Sequence, residues 1–311
     1  MKKLLTWLGL GLLLVTLAAC ASSSSTSNAK VDVVLSSKPK IDGFDYSGDI
    51  PQNPQRIVSL SSSYTGYLYQ LGFDPVSVTT YDAKNPVLKD RVKDAQVLMP
   101  EDLESIAKAN PDLIVVESND PNLKELQKIA PTLAVTYGKN DYLQLLNSFG
   151  QVFGKEKEAD EWIANWKDRT AKIGRELRNQ LGEDVTVTVM GLFEKDIYLF
   201  GNNWGRGGEV VYQTLGFKAP QKVQEEVFKP GYLAVNQDAL PEYLGDIVVV
   251  AAENEETGSA LYESNLWKSQ PAVEKNRVLK VDANAFYFND PLSLEYELKT
   301  IQEGFQKMMP N

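Results

Sequence analysis

The sequence predicts an α/β protein of two Rossmann-like lobes joined by a single long backbone helix, with a ligand cleft between the lobes. Three observations carry this. Short apolar, β-rich runs alternate with amphipathic helical stretches in both halves. A charged, proline-free stretch at residues 155–181 separates the halves. The same Leu-Gly-Phe triplet, at 71–73 and 215–217, closes a strand–loop–helix unit in each half. Two similar halves imply loops that face one another, Ser61–Thr65 from one side and Gly201–Gly208 from the other.

The N-terminus reads as a processing signal. Lys2 and Lys3 precede an apolar run, Leu4–Val15, that is short for a bilayer span. Leu17-Ala18-Ala19-Cys20 then places small residues before the only cysteine of the 311-residue chain, which is the bacterial lipoprotein cleavage pattern. The alternative is a signal anchor that happens to contain a cysteine. Residues 1–19 are expected to be removed. Cys20 is expected to carry lipid, holding the protein on the outer face of a membrane, and serine-rich residues 21–29 to act as a flexible tether. The tether and an N-terminal extension occupy 20–50.

The first lobe is assigned to 51–150. Arg56–Leu60 reads as a strand, 61–65 as a polar loop, and the helix that follows stops at Gly72. Glu101–Asn110 reads as a helix with Leu103 and Ile106 inward, stopped by Pro111. Leu113–Val116 is continuously apolar, as a strand covered on both faces requires. A helix at 122–129 and a strand at 133–136 complete the lobe. The linking segment, 151–182, carries Trp162, Trp166, Ile173 and Leu177 on one helical stripe. It would run roughly 40 Å as a helix, a strut that permits only small closures. The second lobe, 183–311, repeats the pattern. Strands fall at 185–190 and 197–200, a helix runs from about Glu209 to Leu215, and a helix at 238–244 leads into the strand 247–251.

Composition excludes several functions. Without Lys2 and Lys3, about 30 basic residues face 42 acidic ones, a poor balance for binding nucleic acid. With no histidine and one cysteine, there is no disulfide, no Ser-His-Asp or Cys-His catalytic set and no His-ligated zinc or haem.

The most informative segment is Gly201-Asn202-Asn203-Trp204-Gly205-Arg206-Gly207-Gly208-Glu209. Two readings fit it. Glycines permit left-handed turns and close approach, so the loop could present an indole face and a guanidinium fork to a ligand. Alternatively it is a turn, with Trp204 plugging the core and Arg206 solvated.

The element order, the strut and the Gly150–Ala159 segment leading into it resemble the helical-backbone class of periplasmic-type substrate-binding proteins. That class serves ABC importers of iron–siderophores, haem and cobalamin. Four segments, 101–116, 197–217, 263–282 and 286–291, are similar to the ferric hydroxamate siderophore-binding lipoproteins of Gram-positive bacteria. The resemblance implies that Trp204 and Arg206 contact the ferric siderophore, with Tyr198, Tyr137 and Tyr287 as aromatic walls. Tyr287 stands where close relatives often carry tryptophan. It further implies a membrane ABC permease with its ATPase as partner, and that Glu104 and Asp238 meet the permease; Asp238 is shorter than the usual glutamate, so Glu242 is a second candidate. Each position has a structural alternative: a core role for Tyr137, a register in which Phe288 lines the cleft instead of Tyr287, simple solvation for Glu104. Trp162 and Trp166 are assigned to strut packing.

A ferric tris-hydroxamate is an octahedrally saturated, nearly neutral complex, so the protein needs no iron ligand, no other cofactor and few cations. Arg206 with its five donors would serve. A tris-catecholate, with about three negative charges, calls for several cations. The expected function is therefore capture of a ferric hydroxamate siderophore by a lipid-anchored monomer. The same fold binding a catecholate, haem or cobalamin is the alternative. A surface hydrolase or an adhesin is the remote one, since 61–63 lies in no nucleophile motif.

Overall fold

In the first lobe, consecutive residues of each strand point to opposite faces of the sheet and both faces are covered. The computed structural model describes residues 39–193, 196–254 and 256–309. Cys20, the signal-like segment 1–19 and the serine-rich tether lie outside the described residues.

The first sheet comprises β1 (Phe44–Ser47), β2 (Ile57–Ser59), β3 (Ser77–Val78), β4 (Gln96–Val97), β5 (Leu113–Glu117) and β6 (Thr132–Val135), in the order β1-β6-β5-β2-β3-β4. All pairings are parallel except β1 with β6. The sheet thus begins at Phe44, closer to the N-terminus than residue 51. Helices α1 (Ser62–Gln70), α2 (Thr80–Lys84), α3 (Lys89–Val92), α4 (Leu103–Lys108) and α5 (Leu123–Ile129) connect the strands, and α6 (Tyr142–Phe153) follows β6. Leu113, Val115, Leu133 and Val135 pack against Tyr67, Leu68 and Phe149 on one face. Ile114, Val116 and Ala134 pack against Ile106 and Leu126 on the other.

The run 61–65, read from composition as a loop, is instead the entry of α1. Ser61 takes the extended conformation of an N-cap, and the Thr65 hydroxyl donates back to the Ser61 carbonyl at 3.4 Å. Serine and threonine are N-cap residues as readily as loop residues, and burial of Tyr64, Tyr67 and Leu68 decides for helix.

Helix α7 (Glu156–Leu181) has 26 residues, about 39 Å at 1.5 Å per residue. Its first turns belong to the first lobe's core through Ala159 and Ile163. Trp166, Ile173, Leu177 and Leu181 belong to the second lobe's core. Trp162 touches both cores and stacks on Trp166 at 5.2 Å. The fully buried Trp166 donates its indole N–H to the Tyr142 hydroxyl at 3.2 Å, satisfying the one polar group it buries.

The second sheet is β7 (Val187–Phe193), β8 (Asp196–Phe200), β9 (Tyr232–Val235), β10 (Ile247–Ala252) and β11 (Val278–Asp282), in the order β11-β10-β7-β8-β9. Here the expected repeat breaks down. β11, β10 and β7 are parallel, but β8 pairs antiparallel with both β7 and β9. Two residues separate Phe193 from Asp196, and so short a connection joins only antiparallel strands. Helices α8 (Gln221–Glu226), α9 (Ser259–Glu263), α10 (Asn265–Lys268) and α11 (Pro271–Glu274) cover one face, with Val223, Leu261, Trp267 and Ala272 in its core. Helices α7 and α12 (Pro291–Gln306) cover the other. The segment after the glycine loop is a turn of π-helix, Glu209–Thr214, and 237–242 is a 3₁₀ turn containing Pro241. Proline lacks the amide that a longer α-helix would need there.

Replacing Trp166 by Ala should cost about 3–5 kcal/mol, read from denaturant unfolding. Fluorescence and circular dichroism should still report one transition. A loss below about 1 kcal/mol would contradict the role assigned to this side chain in α7.

Candidate functional site

Large hydrophobic side chains that remain exposed are the clearest pointer to the site. Seven are exposed among the described residues: Tyr81, Val97, Tyr137, Phe193, Tyr232, Tyr287 and Tyr296. Five of them, all but Val97 and Tyr296, line one cavity of about 610 Å³. An exposed aromatic surface concentrated in one concave place marks a binding site rather than incidental exposure. First-lobe residues Ser63, Tyr81, Lys84, Glu117 and Tyr137 form one wall, and residues of the second lobe form the other.

The glycine loop makes the floor of the second wall. Arg206 sits between Gly205 and Gly207, and all three take positive φ, 69°, 59° and 87°. A left-handed arginine costs about 1–2 kcal/mol, so the conformation needs support from outside the loop. The Arg206 amide donates to the Phe286 carbonyl at 2.6 Å, and the guanidinium donates to the Tyr287 carbonyl at 3.2 Å. The guanidinium carbon lies 3.8 Å from the centre of the Tyr287 ring and 5.0 Å from that of Phe200. Among the described residues Arg206 makes no ion pair. Its fork is held by an aromatic face and a carbonyl, leaving N–H donors for a ligand.

Behind the loop, Glu209 is fully buried. Its carboxylate accepts from the Gly205 amide at 3.0 and 3.1 Å and from the Asn289 side-chain amide at 2.8 Å. This ties the loop to the segment that carries Tyr287. Trp204 serves both readings of the loop at once, since it packs on the core and also lines the cavity. A Cβ on Gly231 would collide with its indole, and Gly231 itself takes φ +91°. The ring meets Tyr232 at 5.2 Å and, across the cleft, Tyr137 at 5.8 Å, both edge-on. Tyr198, on β8, lines the cavity and tilts against Tyr232 at 6.3 Å. Tyr287 points into the cavity; its neighbour Phe288 is buried but also contributes to the lining.

Trp204, Arg206, Tyr198, Tyr287 and Tyr137 therefore share one cavity. Glu104 and Asp238 lie outside it and are exposed. Glu104 pairs with Lys108 at 2.6 Å, and Glu242 is engaged by Lys222. Desolvation by the cleft walls, reinforced by the nearby Glu209 carboxylate, pushes the Tyr137 phenol up to about 12, so its hydroxyl remains a donor at any physiological pH. The lining also holds side chains that sequence reasoning missed: Tyr81, Tyr232, Lys84, Glu117 and Glu253. Arg206 is thus not the only cation at the cleft. Among the described residues the four charged members of the lining balance, Lys84 and Arg206 against Glu117 and Glu253. No group of three or more metal-ligating side chains occurs among the described residues, and no helix there is long and apolar enough to cross a membrane.

Comparison with known proteins places this architecture. The family described as periplasmic binding protein matches residues 57–285. The chain belongs to the periplasmic binding protein family. It is a substrate-binding protein and not an enzyme. Among relatives of this periplasmic binding protein is the iron(3+)-hydroxamate-binding protein FhuD of Bacillus subtilis, 33% identical over 95% of both chains. Of solved structures, FhuD from S. pseudintermedius is 33% identical with a TM-score of 0.78, covering 83% of this chain and 93% of its own. FhuD2 from Staphylococcus aureus with bound ferrioxamine B is 35% identical with a TM-score of 0.78, covering 82% and 99%.

Beneath the site, α12 carries Glu297, fully buried with neither carboxylate oxygen hydrogen-bonded among the described residues. Burial, then the Glu209 and Asp290 carboxylates, raise its pKa well above the ordinary value, and Arg206 opposes this only partly. The folded state therefore holds a proton that the unfolded chain releases near pH 4.5. Stability from this group is full below that pH and is lost as pH rises through the raised folded value. Glu297→Gln should raise the melting temperature at pH 7.5 and flatten its decline above pH 4.5; an unchanged pH profile would contradict the assignment.

Proposed function

We propose that this chain is an extracytoplasmic, lipid-anchored binding protein that captures ferric hydroxamate siderophores and delivers them to an ABC permease for iron uptake. The observation that carries the reading is the cavity itself. Its walls are aromatic on both sides, its charged residues balance among those described, and one arginine is held with donors to spare. A neutral tris-hydroxamate complex, whose six oxygens already fill the iron's coordination sphere, asks for a large apolar wall and a few donors to those oxygens. A complex with about three negative charges would meet Glu117 and Glu253 as well as Lys84 and Arg206, and charges of like sign in a desolvated cleft oppose binding. The names of the relatives point the same way: FhuD of B. subtilis is called an iron(3+)-hydroxamate-binding protein, and FhuD2 of S. aureus was solved with ferrioxamine B.

In this reading Arg206 donates to the hydroxamate oxygens, Trp204, Tyr198 and Tyr287 bound the carrier on the second lobe, and Tyr137 closes from the first. The protein supplies no iron ligand. Cys20, within its small-residue cleavage pattern, is the lipidation site. Glu104 and Asp238 are the surface acids proposed to meet the permease, with Glu242 as the second candidate in the second lobe; all three are exposed, and Glu104 and Glu242 each pair with a lysine.

Titration of the processed protein with ferrioxamine B and ferrichrome, followed by tryptophan fluorescence, should give a Kd below about 1 μM for at least one of them. Tight binding of a ferric catecholate, haem or cobalamin with no response to either hydroxamate would overturn the reading. Arg206→Ala should weaken binding by about 10- to 100-fold, the size of a charged hydrogen bond lost. Arg91→Ala, at an exposed pair with Asp74, should leave it unchanged; equal effects would remove Arg206 from the site.

A further inference from the structure

Tyr81 stands apart from every residue the sequence or its resemblance marked. It lies on α2, a helix of only five residues, yet its position is fixed on three sides. The Thr79–Asp82 capping box closes the helix, with the Asp82 carboxylate accepting from the Thr79 amide and hydroxyl, each at 2.8 Å. Asp82 is fully buried, and α2 packs there against α1. At the other end, the buried Asn85 donates to the Ser293 hydroxyl of α12 at 3.5 Å. A helix wedged between a first-lobe helix and α12 in this way has little freedom to turn its exposed face.

That face carries Tyr81, 54% exposed, into the cavity. Its ring meets the Tyr287 ring of the opposite lobe at 5.8 Å and 27°, a stacked pair. Tyr287 is also the ring over which the Arg206 guanidinium rests. Two large, half-exposed aromatics held together across a cleft, one of them by a buried capping box, are more than the packing of a surface helix requires.

We propose that Tyr81 is a specificity-determining residue of the first lobe: its stack on Tyr287 walls off one side of the cavity and sets the shape of the ferric hydroxamate that fits. The inference rests on the hydroxamate reading above and adds to it a named residue and a direction of effect. Compact and extended carriers press on that wall differently, so removing the ring alters their affinities unequally. Tyr81 acts by shape and stacking, and its hydroxyl has no part in the effect.

The test compares ferrioxamine B, a linear carrier, with ferrichrome, a cyclic one, on the processed wild-type chain and on Tyr81→Ala, Tyr81→Leu and Tyr81→Phe. Thermal melts check that each variant is folded. The ratio of the two affinities should shift by about three- to tenfold in the Ala and Leu variants, the range of one aromatic contact. In Tyr81→Phe it should stay within about twofold of wild type, since the ring is kept. Ratios unchanged in both Ala and Leu variants would overturn the inference while leaving the hydroxamate reading intact. A Phe variant that shifts as far as Ala would assign the effect to the hydroxyl and overturn it too. A wild-type chain that binds neither complex would overturn the hydroxamate reading, and the inference with it.

Discussion

Helix α7 is the constraint on which the rest of the structure depends. A single uninterrupted helix is built into two hydrophobic cores at once, Ala159 and Ile163 into one, Trp166 to Leu181 into the other. The lobes cannot part without pulling aromatic side chains out of a core, and Trp162 and Trp166 sit stacked at the seam. The helix also reaches the glycine loop. Gly174 lies so close to the Leu215 backbone that a Cβ there would overlap it, and the Arg178 guanidinium donates to the Leu215 carbonyl. The π-turn that ends at Thr214 begins at Glu209, the buried acid that holds Gly205. Strut, turn and loop are therefore one mechanical unit, and closure of the cleft must come from small bending rather than from a free hinge.

Within that frame the site is built by opposing costs. The left-handed backbone at Arg206 and the burial of Glu209 are both unfavourable alone. Each is offset by the same neighbouring segment, since Phe286, Tyr287 and Asn289 supply the carbonyls and the amide that Arg206 and Glu209 use. Glu297 and Asp290 are buried nearby, and burial raises the pKa of each, so that Glu297 is held protonated and adds no charge behind Arg206. Strain and buried charge concentrated at one loop are what a preformed recognition surface requires, and they are tolerable because both flanking sheets are packed on two faces.

Much of this was legible in the chain because the signals were local. The continuous apolar runs of β5 and β10 announced strands covered on both faces, and the proline-free stripe of α7 announced a long packed helix. Trp204 and Arg206 stood out because four glycines surround them. The features that sequence missed depend on partners far away along the chain. Serine and threonine at 61–65 fit a loop and a helix entry equally, and only burial of Tyr64 and Tyr67 separates the two. The antiparallel β7–β8 pair hung on a two-residue connection that periodicity does not register. Tyr81, Tyr232, Lys84 and Glu253 carry no motif; they become site residues only because the two lobes bring them to one cavity. Buried carboxylates such as Glu297 are indistinguishable in sequence from the solvated acids that dominate this acidic chain.

In the proposed function a ferric hydroxamate sits between the lobes, against the glycine loop, without protein atoms binding the iron. Anomalous diffraction at the iron edge, from crystals of the processed protein grown with ferrioxamine B, tests it most directly. One iron peak is expected inside the cavity walled by Trp204, Arg206 and Tyr287, with only siderophore oxygens in its coordination sphere. An iron peak outside that cavity, or one bonded to a protein side chain, would contradict it.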